Sequence, residues 1–152
     1  MISPLLDGLL EPKHVALDLR GSTAGEAVWE IVELLRESGD LSRAKEFFEA
    51  VMDREGKSST VANGGVAFPH ARTDLVGQIL LGIGRSSKGI SFGDTENLVH
   101  LIFLIAVPQQ MVNDYLICVG GLARRLNQDS TRQALLEAST PADFLDRLRN
   151  DE

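Results

Sequence analysis

Residues 99 to 107 read VHLIFLIAV, a run in which only His100 is polar, and Pro108 closes it. Its uninterrupted apolar part, Leu101 to Val107, falls far short of the ~20 residues of a membrane helix. A short apolar run bounded by turn residues is the pattern of a strand covered on both faces. Gly65 to Phe68 (GVAF) and residues 78 to 84 (QILLGIG) repeat that pattern, and residues 14 to 19 (HVALDL) alternate weakly enough to read as a first strand. Residues 82 to 89 (GIGRSSKG) fit neither the Walker nor the dinucleotide fingerprint, because Lys88 precedes its glycine. They read as a strand end and a turn.

Helical spacing fills the flanks. Thr23 and Glu26 form a capping-box pair ahead of Val28, Ile31, Val32 and Leu35, and Gly39 stands where a left-handed cap stops the helix. Ala44, Phe47, Phe48, Val51 and Met52 give a second apolar face. After Pro108, helical spacing returns through Val112, Leu116, Val119, Ala123 and Leu126, with a short helix expected over 130–138. Thr140, Pro141 and Asp143 open a last helix that buries Phe144, Leu145 and Leu148. Helices on both sides of a buried sheet predict a three-layer α/β/α sandwich. No repeat or linker divides the 152 residues, so one domain over 1–152 is expected.

Composition narrows the function classes. An apolar fraction of 43% with 24% charged residues is that of an ordinary globular chain. A net charge of −7 argues against a nucleic-acid surface. The N-terminus lacks a basic start and is broken by Asp7, Gly8 and Pro12, unlike a secretory signal. Cys118 is the only cysteine and lies in a helical apolar pattern, which predicts a reduced, buried thiol and a cytoplasmic setting. His14, His70 and His100 lack metal-ligand spacing, and no cofactor motif is present, so neither a metal nor a cofactor is expected. His14 and His100 read as structural imidazoles, and the charges of LARRLNQD and FLDRLRNDE as solvated helix faces.

Pro69 and His70 remain. Proline removes a backbone donor and biases Phe68 toward an extended conformation, so the strand should end there with His70 on the rim of the sheet. A neutral imidazole with one nitrogen held by an acceptor offers the other nitrogen as a nucleophile for a phosphoryl group. Residues 54 to 65 (REGKSSTVANGG) supply Arg54, Ser58, Ser59, Thr60 and three glycines, and Arg72 follows closely. Such donors suit phosphoryl oxygens. On the residues alone, a polar loop with an exposed histidine accounts for the same pattern.

The stretch from Arg54 through SST and GGVAFPHAR to Arg72 resembles the active-site segment of the fructose/mannitol-type enzyme IIA domains of the bacterial phosphoenolpyruvate-dependent phosphotransferase system, a group that includes the nitrogen-regulatory IIA proteins. HVALDL, LVHLIFLIAVP and YLICVGGLARRL extend the resemblance over about residues 4 to 149. It implies a small mixed sheet between helices and a histidine phosphorylated on Nε2 by the carrier protein HPr. By position, His70 is the phosphoryl acceptor, Arg54 the charge-neutralising residue, and Ser59 and Thr60 hydroxyl or loop contacts. The family commonly has a second histidine where this chain has Tyr115 ahead of Leu116. A tyrosine hydroxyl donates to a phosphoryl oxygen but carries no positive charge. Two functions are expected of such a chain: phosphoryl transfer onward to a IIB component, or regulation of partner proteins that sense the state of His70.

Overall fold

The computed structural model describes residues 2–93 and 97–150. The apolar run becomes strand β6 (Val99–Pro108), an interior strand of a six-stranded sheet. On one side it pairs antiparallel with β5 (Leu80–Ile90); on the other it pairs parallel with β3 (Val66–Ala67) and β4 (His70–Thr73). β1 (Val15–Ala16) adds in parallel to β5, and β2 (Val61–Ala62) antiparallel to β3. The sheet is therefore mixed.

Successive side chains of a strand point to opposite faces, so β6 feeds two cores. Leu101, Phe103, Ile105 and Val107 enter one of them. Over that face lie α1 (Pro4–Asp7), α4 (Val112–Leu126), α5 (Asp129–Glu137) and α6 (Pro141–Arg149), through Leu6, Cys118, Leu122, Leu135 and Phe144. Ile102, Leu104 and Ala106 enter the other core, under α2 (Ala24–Glu37) and α3 (Ala44–Lys57). Each large side chain so buried contributes about 1.5–3 kcal/mol. The three-layer sandwich is the observed architecture.

Helix α2 begins and ends as its residues dictate. Glu26 N donates to Thr23 Oγ1 at 3.3 Å while Thr23 N donates to Glu26 Oε1 at 3.2 Å, closing the capping box. At the other end Gly39 takes φ +85°, and Gly39 N and Asp40 N donate to the Arg36 and Leu35 carbonyls at 3.0 and 3.2 Å. This is the paired bond pattern of a glycine-terminated helix, and it brings the Asp40 carboxylate to within 2.8 Å of His14 Nε2.

Several details depart from the sequence reading. The residues HVALDL give only the two-residue β1, because Pro12 opens a 3₁₀ turn over Pro12–His14 that takes up His14. GIGRSSKG lies wholly inside β5, which absorbs its glycines by a register shift between Arg85 and Ile90 and a φ of +94° at Gly89. Pro69 does not end the strand at the rim. β3 and β4 keep one register against β6 across it, Ala67 opposite Ile102 and His70 opposite Ile105, because the proline carbonyl still accepts from Ile105 N at 3.0 Å.

Helix α4 is rotated from the expected face: Cys118, Leu122 and Leu126 are buried, while Leu116 and Ala123 face solvent. Arg125, expected on a solvated face, is only 5% exposed. Its Nε donates to the Leu148 carbonyl at 2.8 Å and Nη2 to the Arg147 carbonyl at 3.0 Å, satisfying the end of α6.

Gly82 and Gly84 lie two apart on the β5 face beneath α2. A Cβ on Gly82 would lie 2.6 Å from Ile31 Cγ2, and one on Gly84 2.6 Å from Leu19 Cδ1. Gly82→Ala is expected to cost about 1–3 kcal/mol in urea unfolding. Gly77→Ala, whose methyl meets nothing within 4 Å, should stay within about 0.5 kcal/mol of the parent. Equal effects at the two positions would contradict the close approach of α2 to β5.

Candidate functional site

Strand β4 and the carboxyl end of β6 meet the end of α3 and the first turn of α4 at an open hollow of about 410 Å³. Such strand ends are the usual ligand crevice of a parallel arrangement. Ala50, Ala71, Val107 and Val112 supply its apolar wall. Its polar wall is Arg54, Lys57, His70, Arg72 and Tyr115, with Asp53 the acid among them.

Each polar group is placed by local structure. Arg54 and Lys57 stand three apart on the final turn of α3, hence on one face. Arg54 Nη1 donates to the Ser58 carbonyl at 2.8 Å, at the helix end. Lys57 pairs with Asp53 at 3.2 Å, both side chains being largely exposed, so the pair is weak and the ammonium can be drawn to another anion. His70 and Arg72 are alternate residues of β4 and share a face.

The histidine is held in one tautomer. His70 Nδ1 lies 3.0 Å from the Phe68 carbonyl oxygen. A carbonyl only accepts, so Nδ1 carries a proton, and in the neutral ring Nε2 keeps the lone pair. The ring, half-buried, lies against Tyr115 with centroids 5.2 Å apart and planes at 35°. Burial pushes the Tyr115 hydroxyl above its ordinary value near 10, and the positive charge of Arg54 pulls weakly the other way. The phenol is therefore a protonated donor throughout the neutral range.

Of the six residues singled out in the sequence, Arg54, His70, Arg72 and Tyr115 line this hollow. Ser59 and Thr60 are not among its lining residues. Thr60 N and Oγ1 donate to the Glu55 carboxylate at 2.8 and 2.6 Å, and Ser59 Oγ accepts from Val61 N at 3.1 Å. Ser59 lines a separate hollow with Glu55 and Ser58. Thr60 still supports the site, because its carbonyl accepts from Phe68 N at 3.2 Å, beside the carbonyl that orients His70. Lys57 went unread in the sequence, although its position one turn after Arg54 was the available signal.

Comparison with known proteins gives this site its context. The sequence profile described as "Phosphoenolpyruvate-dependent sugar phosphotransferase system, EIIA 2" matches residues 8–151. The chain belongs to that family. It is 30% identical over 139 residues to the fructose-specific EIIABC component of Bacillus subtilis, covering 91% of this chain but only 22% of that longer protein. It is 29% identical over 127 residues to the fructose-specific EIIA component of Haloferax volcanii, covering 83% of this chain and 82% of the relative. Among solved structures, the nitrogen regulatory protein IIA-Ntr from Neisseria meningitidis superposes with a TM-score of 0.86 at 28% identity, over 95% of this chain and 99% of that one. The IIA fold follows, and the chain is similar to fructose-specific and nitrogen-regulatory proteins alike.

Tyr115 is the only tyrosine, so its titration can be read alone from the tyrosinate ultraviolet band. A raised folded-state value means that the folded protein binds this proton more tightly than the unfolded chain. The corresponding stability is complete below about pH 10 and is lost as pH rises through the folded value. The band is expected to appear above pH 10 in the folded protein, lower in urea, and higher still in Arg54→Ala, which removes the opposing charge. Unaltered titration in Arg54→Ala would place the guanidinium away from the phenol.

Proposed function

We propose that this chain is a phosphoryl carrier of the phosphotransferase system, taking a phosphoryl group on His70 Nε2 from an HPr-like phosphohistidine donor and passing it to a IIB component. The observation that carries this reading is the hydrogen bond of His70 Nδ1 to the Phe68 carbonyl, which leaves the nucleophilic lone pair on Nε2 in a wall shared with Arg54, Lys57 and Arg72. The Nε2 lone pair attacks phosphorus, the nitrogen–phosphorus bond of the donor breaks, and its electron pair returns to the donor imidazole. Nδ1 keeps its proton on Phe68. The added group brings roughly two negative charges, which the three cations offset. Tyr115 donates to a phosphoryl oxygen in place of an imidazolium. Fixed positive charge at the transferring group is the main source of rate in such chemistry. The residues act as a single IIA-type unit in the cytoplasm, with neither nucleic acid nor membrane as partner.

A regulatory use of the same site is supported by the likeness to nitrogen-regulatory IIA and by Leu116 and Ile117, which follow Tyr115 and are about half exposed (55% and 52%). Apolar side chains beside a site that changes charge suit a protein surface that reads the change. A shift of 1–3 kcal/mol in partner affinity would be typical of such coupling.

Incubation with phosphoenolpyruvate, enzyme I and HPr should label the parent with an acid-labile phosphate and leave His70→Ala unlabelled; equal labelling of both would remove His70 from the reaction. Arg54→Ala should accept the group at least about tenfold more slowly, a barrier change of about 1.4 kcal/mol or more, with an unchanged urea midpoint. Tyr115→His should lengthen the lifetime of the phosphoprotein or speed transfer. Chase of the label onto a purified IIB protein supports the carrier reading, whereas phosphorylation-dependent capture of a protein that takes no label supports regulation.

A further inference from the structure

Sequence spacing gives no expectation of a metal site, yet folding gathers Glu11, His14 and Asp40, whose ligating atoms lie within 4.8 Å of one another. They sit where the Pro12–His14 turn meets the corner after α2, on the wall of a hollow of about 390 Å³ that shares no lining residue with the His70 hollow. Charge proximity alone would be unremarkable there. What sets this group apart is one nitrogen.

His14 is 2% exposed. Its Nε2 lies 2.8 Å from Asp40 Oδ2. A carboxylate at neutral pH only accepts, so Nε2 carries a ring proton, and in the neutral imidazole Nδ1 is left with a lone pair. That Nδ1 is buried and has no hydrogen-bond partner among the described residues. The polar atom it faces is Glu11 Oε2 at 3.6 Å, too far for a hydrogen bond, and two acceptors would gain nothing from each other. An unsatisfied buried nitrogen costs about 1–3 kcal/mol. Two ligand atoms each ~2.1 Å from one tetrahedral cation stand roughly 3.4 Å apart. The observed separation is close to that spacing.

Asp40 plays the supporting part. Its Oδ2 accepts from His14 Nε2 and from Ser38 Oγ at 3.0 Å and pairs with Lys13 Nζ at 3.2 Å, so it is occupied as an acceptor. A carboxylate that holds the far nitrogen of an imidazole fixes its tautomer and raises its basicity toward a metal on the near one. We propose that His14 Nδ1 and Glu11 Oε2 bind a divalent cation of the zinc class, with Asp40 orienting the histidine and water from the hollow completing the coordination. Mixed imidazole and carboxylate donors favour zinc, cobalt or nickel over calcium and magnesium. The ion would tie the Pro12–His14 turn in place, independently of phosphoryl transfer at His70.

The test uses the full, tag-free chain with Zn²⁺ in calorimetry and Co²⁺ in visible absorption. One ion per chain is expected, with a four-coordinate Co²⁺ band and a higher melting temperature in Zn²⁺. Glu11→Gln, at an exposed side chain, should weaken binding at least tenfold, and Asp40→Asn by about 10–100-fold. His70→Ala and His100→Gln should bind as the parent does. Absence of binding by the parent, binding unchanged in Glu11→Gln, or binding lost in His70→Ala would each overturn the assignment; the first would leave an imidazolium between two carboxylates as the account of His14.

Discussion

Burial of β6 on both faces is the constraint from which the rest of the molecule follows. A strand whose residues alternate between two cores from Leu101 to Val107 must have helices above and below it, and neighbours on both edges to satisfy its backbone groups. β5 supplies one edge, and the β3–β4 stretch supplies the other. Because the register of that stretch is unbroken across Pro69, His70 is placed on the sheet as firmly as a strand residue can be. A strand anchored to a buried neighbour holds the side chains it carries in a fixed orientation.

The His70 hollow joins the sheet to the ends of two helices. The imidazole comes from the sheet, the phenol from the first turn of α4, and two of the cations from the last turn of α3. Helix ends are where side chains reach past the backbone, so Arg54 can both tie down the Ser58 carbonyl and face an incoming anion. Tyr115 changes the balance of charge. Its hydroxyl, held protonated by burial, donates without adding positive charge, leaving Arg54, Lys57 and Arg72 as the cations of the wall.

Much of this was legible in the chain because it depends on near neighbours. The α2 capping box, the left-handed Gly39, the proline-started α6 and the apolar strands each rest on contacts within a few residues. Arg54, His70 and Arg72 stand out in one short segment of the sequence, Tyr115 stands out as a departure from the family pattern, and the four share one hollow. The misreadings came where distant parts decide. Arg125 was read as solvated because its neighbours are polar, whereas the α6 carbonyls that receive its guanidinium lie more than twenty residues on. GIGRSSKG has turn residues but is drawn out as strand by pairing with β6 and by α2 packing on its glycines.

What the sequence by itself determined was the set of elements and the family, since periodicity, caps and the family-like segment around His70 are local signals. Only the tertiary structure decided which side chains line the hollow with His70, which nitrogen of that ring the Phe68 carbonyl holds, and that Glu11, His14 and Asp40 converge. Ser59 and Thr60 lie close to Arg54 in the chain, yet Thr60 turns to Glu55 and Ser59 to the backbone of Val61. The Phe68 carbonyl chooses the His70 tautomer, and the turn at Gly39 carries Asp40 back to His14 across 26 positions. Hydrogen bonds and charge pairs act over a few ångströms of space, and only the folded chain says which residues those ångströms separate.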